Sequence, residues 1–68
     1  MEKNLLRLLR GSKSQKEMAD KYQVSQQAWS KWENGDTVPD NQVMLAMERE
    51  YKIPMEVIFF EAFNYKMK

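Results

Sequence analysis

Residues 25–35, SQQAWSKWENG, concentrate hydrogen-bonding side chains around two tryptophans. On a helix of about 100° per residue, Trp29 and Trp32 fall about 100° and 40° from Ala28, on one face. Gln26, Gln27, Ser30 and Lys31 fall on the opposite face, which has amides, a hydroxyl and an ammonium but no carboxylate. This is chemistry that can read purine edges in a major groove. A Gln amide pairs with the N6 and N7 of adenine, and a Lys ammonium donates to the O6 and N7 of guanine. The competing reading is an ordinary solvated face. Solvated faces usually mix Glu with Lys, and a Gln-Gln pair opening a short helix does not fit that habit.

Those side chains need a helix pair to present them. Leu5, Leu6, Leu8 and Leu9 are expected to cover one arc of a first helix ended by Gly11. Ser14 caps the next helix, with Glu17 completing a capping box. Met18, Ala19 and Tyr22 form its apolar stripe. Gln23 and Val24 make a short turn, and Ser25 caps the helix of the tryptophans. Gly35 stands where that helix needs a left-handed end. Pro39 and Asp40 suit the start of a fourth helix, with Val43, Met44, Met47 and Tyr51 as its stripe. Pro54 suits the first turn of a fifth, running from about Met55 into the tail. β-branched residues are scarce and never alternate, so no strand is expected.

Composition excludes other classes. A chain of 68 residues is one small domain, and a domain of this size buries only roughly 60% of its unfolded surface. It has no cysteine and no histidine. That removes thiolate metal sites, disulfides, the commonest general base and the usual zinc ligand. No catalytic, metal or cofactor site is expected. The opening MEKNLLRLLRG is too short and too charged for a secretory signal, and no apolar run approaches a membrane span. A reduced cytoplasmic protein without a membrane partner is the plain expectation. Net charge is only +1, but residues 1–34 carry +3 and residues 35–68 carry −2. The basic half holds the polar face; chance scatter is the alternative with so few charges.

The stretch QKEMADKYQVSQQAWSKWENG resembles the helix-turn-helix of Cro and phage-repressor (XRE-type) DNA-binding proteins. The matching residues are Gln15, Met18, Ala19, Val24, Ser25, Trp29, Ser30, Trp32, Glu33, Asn34 and Gly35. Pro39 and IPMEVIFF also stand where that family begins its fourth helix and places its fifth. The resemblance covers about residues 5–60 and implies an all-α, compact five-helix, lambda-repressor-like fold, with residues 1–68 expected to form a single domain. The motif would occupy 15–34, with a candidate dimerisation helix and tail at 55–68. It implies that Gln26, Gln27 and Lys31 contact bases of double-stranded DNA. Gln15 and Asn34 would contact phosphate, joined by Ser30 and Lys13, and Gln15 would brace Gln26. Ala19 and Val24 would hold the angle between the two motif helices.

Departures from the family pattern carry their own expectations. Gln23 stands where glycine is usual, and a non-glycine residue at positive φ costs roughly 1 kcal/mol. Asp36 follows Asn-Gly where the family often has Lys or Arg, and it would repel phosphate. Trp29 is bulkier than the usual Ile or Val. The short connection LLRGSKSQ makes Arg10 the expected partner of Glu33, as a structural ion pair. In the fifth helix Met55, Ile58, Phe59 and Ala62 should face the core. Val57, Phe60 and Phe63 form a surplus apolar arc. The resemblance gives that arc to a homodimer, which DNA could induce; the alternative is a tail folded back over its own core. Two function classes follow. One is a small repressor or Cro-like switch protein reading a palindromic operator as a dimer. The other is an antitoxin-like module with a protein partner and secondary DNA binding.

Overall fold

The computed structural model of the chain describes residues 3–64. They form six helices and no strand: α1 (Leu6–Arg10), α2 (Gln15–Lys21), α3 (Gln26–Asn34), α4 (Asn41–Tyr51), α5 (Met55–Ile58) and α6 (Phe60–Asn64). Tail residues 65–68 of the proposed dimerisation segment lie outside the described residues.

The local signals act where the sequence places them. Ser14 Oγ accepts from the Glu17 N–H (3.0 Å) and Glu17 returns the bond to the Ser14 N–H (2.8 Å), a complete capping box. Ser25 accepts from Ala28 N–H and Asp40 from Val43 N–H, starting α3 and α4. Gln23 takes the left-handed conformation, φ 58°, that its place in the turn demands. Its N–H donates to Asp20 and the Val24 N–H to Ala19, which satisfies the last carbonyls of α2. Gly35, φ 79°, ends α3 in the same way, with Gly35 N–H to Trp32 and Asp36 N–H to Lys31.

The core gathers one face from each helix. Leu6, Met18, Ala19, Trp29, Trp32, Met44, Met47, Ile58 and Phe59 are buried together. The aromatic members interlock. Tyr22 stacks on Trp29 with centroids 6.0 Å apart, and Trp29 meets Trp32 edge-on at 5.8 Å.

Two expectations need correction. Leu8 does not share the buried arc of the first helix: it is 75% exposed, while Leu6 is buried and Leu9 packs on the core. Leu6 and Leu8 lie about 200° apart around the helix, so the face that buries Leu6 turns Leu8 to solvent. The fifth helix is also divided in two. The Ile58 carbonyl accepts from the Leu5 N–H (2.8 Å), and the Glu61 N–H donates to the Lys3 carbonyl (3.3 Å). The segment before α1 thus enters the ladder at the break, and Phe59 leaves helical geometry (φ −110°, ψ 52°).

Candidate nucleic-acid interface

Burial of the tryptophans fixes the orientation of α3. Trp29 is fully buried and Trp32 nearly so, which leaves Gln26, Gln27 and Lys31 exposed on the opposite side. Ala28 and Ser30 are half-buried at the margins. Asn34 is exposed at the end of the helix, and Lys13 is exposed just before α2. The principal helix–helix contact in the domain is between α2 and α3. Ala19, buried with no side chain beyond its methyl, permits the close approach, and Val24 packs against the core from the turn.

Beneath this face lies a buried carboxylate. Glu33 has a fully buried side chain and accepts from three helices or their flanks. Arg10 donates through Nε (2.6 Å) and Nη2 (3.2 Å), the Trp29 indole N–H at 2.5 Å, and Gln15 Nε2 at 3.1 Å. Arg7 Nε lies 3.6 Å from the same group. Burial pushes the Glu33 carboxyl up, but the hydrogen bonds from Arg10, Trp29 and Gln15 together outweigh it. They hold it below the ordinary carboxylate range. The expected Arg10–Glu33 pair is therefore present, as the centre of a larger cluster. Arg10 is also held by the Lys13 carbonyl (3.0 Å).

That cluster changes the account of Gln15. Among the described residues no hydrogen bond joins Gln15 to Gln26. The Gln15 amide donates instead to Glu33, because the buried carboxylate is the stronger acceptor. One amide N–H and the carbonyl oxygen of Gln15 remain for other partners.

Asn4 escaped the sequence reading altogether. It is buried, donates from Nδ2 to the Trp32 carbonyl (2.7 Å), and accepts from the Leu6 N–H (3.0 Å). It therefore joins the end of α3 to the start of α1. An Asn just ahead of a leucine-rich helix is a capping signal; the long-range half of its role leaves no trace in local pattern.

Two capped helices joined by this turn, with the second buried by its aromatic face and polar on the other, define a helix-turn-helix domain. A family model described as helix-turn-helix matches residues 5–58. The chain belongs to this family, of the XRE type that includes Cro and C1 proteins, which is a family of DNA-binding regulatory domains rather than enzymes. No curated protein and no solved structure matches the chain. Among the described residues no helix is long and apolar enough to cross a membrane.

Proposed function

We propose that the protein is a sequence-specific transcriptional regulator, a small repressor or Cro-like switch, that binds a palindromic operator as a homodimer in the cytoplasm. The observation that carries this reading is the carboxylate-free face of α3. Buried Trp29 and Trp32 aim Gln26, Gln27 and Lys31 outward, and both ends of the helix are fixed by caps. In this reading those three side chains contact bases. Gln15, Asn34, Ser30 and Lys13 meet phosphates, which position the protein without reading sequence. Selection of bound sequences from random duplex DNA tests it. A two-fold symmetric motif with half-sites about one helical turn apart is the expected result. No enriched sequence after repeated rounds would contradict it.

The dimer follows from size. One module covers only roughly 600–1,000 Å² on DNA, little for a useful specificity ratio. A two-fold pair doubles that area. The break at Phe59 splits the surplus apolar residues between two helices, Val57, 48% exposed, on α5 and half-buried Phe60 and Phe63 on α6. Phe63 also packs partly on the domain's own core, so Val57 and Phe60 are the more available members. Phe60→Glu should weaken operator binding about tenfold or more, a loss of roughly 1.4 kcal/mol, without lowering helicity. A variant that binds and sediments like the parent would place the interface elsewhere.

A further inference from the structure

We infer that Lys3 supplies the phosphate-binding cation at the C-terminal end of α3, in the place where Asp36 supplies none. This rests on the proposed DNA-binding reading, in which the Asn34 end of α3 faces a phosphate. Three observations place Lys3 there. Its backbone is pinned, with its carbonyl accepting from Glu61 N–H and the next two residues tied to Trp32, Leu6 and Ile58. Its side chain lies across Gly35. A Cβ built on Gly35 would sit 2.5 Å from Lys3 Cδ, 3.1 Å from its Cβ and 3.3 Å from its Cγ. Lys3 is nonetheless exposed, so its stem covers the glycine that lies between exposed Asn34 and Asp36 while the side chain keeps its access to water.

The charge logic follows. Asp36 is exposed immediately after the cap and opposes an approaching phosphate. A lysine whose stem is laid over the cap can offset it, and a compact ammonium on a flexible stem suits a phosphate as a point charge. The cation is brought in from 32 positions earlier in the chain by the segment ahead of α1. The same packing adds a second reason for glycine at position 35. A side chain there would strain the left-handed backbone and also displace Lys3.

The test uses the full chain and a labelled duplex of mixed sequence, since the phosphate contribution is independent of sequence. Lys3→Gln keeps the backbone bonds of residues 3–5. It should weaken binding roughly three- to tenfold and reduce the slope of log K against log salt by about one. Its thermal midpoint should stay at the parent's value. Adding Asp36→Lys to Lys3→Gln should restore affinity and slope. The inference is overturned if Lys3→Gln binds with the parent's affinity and salt slope, or if affinity falls only in step with the thermal midpoint. A parent that binds no duplex at all overturns the proposed function and this inference together. Binding by the parent with an indifferent Lys3 overturns the inference alone.

Discussion

Replacing Glu33 with glutamine should destabilise the domain by about 2–4 kcal/mol. Removing one partner of a buried ion pair typically costs about 3–5 kcal/mol, because the other charge is left without a counter-ion. Arg10 retains 20% side-chain exposure, which moderates the loss. Glutamine keeps the shape but offers one acceptor oxygen where the carboxylate serves Arg10, Trp29 and Gln15 together. A chain of this length has roughly 3–10 kcal/mol of total stability, so urea unfolding should show a much lower midpoint. The pH dependence has a definite sign. The folded-state pKa of Glu33 lies below its unfolded value. Its contribution is therefore complete above about pH 4.3 and is lost as pH falls further, through the folded value. The parent should lose stability more steeply on that acid limb than Glu33→Gln. Equal midpoints at neutral pH and parallel acid limbs would show that the cluster contributes nothing.

How far the sequence disclosed this molecule depended on the range of each interaction. Ser14 with Glu17, Ser25 with Ala28 and Gly35 at the end of α3 act within a few residues, and local pattern identifies them. The tryptophan face is legible because helical periodicity is itself local. The Arg10–Glu33 pair could be anticipated only because family resemblance and the short connection brought the partners together. Asn4 to Trp32 spans 28 residues, and no periodicity encodes it. Leu8 misled because its apolar type was given more weight than its place about 200° around the helix from Leu6. The break at Phe59 was invisible for a related reason. Its cause is backbone from the opposite end of the chain, donated by Leu5 and accepted by Lys3. Gln15 pointed toward the interface by resemblance, but a buried carboxylate captured part of its hydrogen-bonding capacity.

The second large effect concerns Gln27. It is the second residue of α3, exposed opposite the buried tryptophans, with no carboxylate beside it on that face of the helix. A well-placed bidentate base contact is worth roughly 1–3 kcal/mol of discrimination. Alanine keeps the helix, since it is the best helix former, and removes only the amide. Gln27→Ala should therefore lose about 5- to 150-fold in operator affinity, the equivalent of that energy. Binding to unrelated DNA should change little, because phosphates hold the protein there.

The most direct measurement of the central claim is a titration of parent and Gln27→Ala against the selected operator and a scrambled duplex, each at two salt concentrations. The exposed face of α3 reads bases if Gln27→Ala narrows the gap between the two duplexes while leaving the salt slope unchanged. A parent that binds both duplexes equally, or a Gln27→Ala variant that weakens both by the same factor, would show that this face does not read sequence.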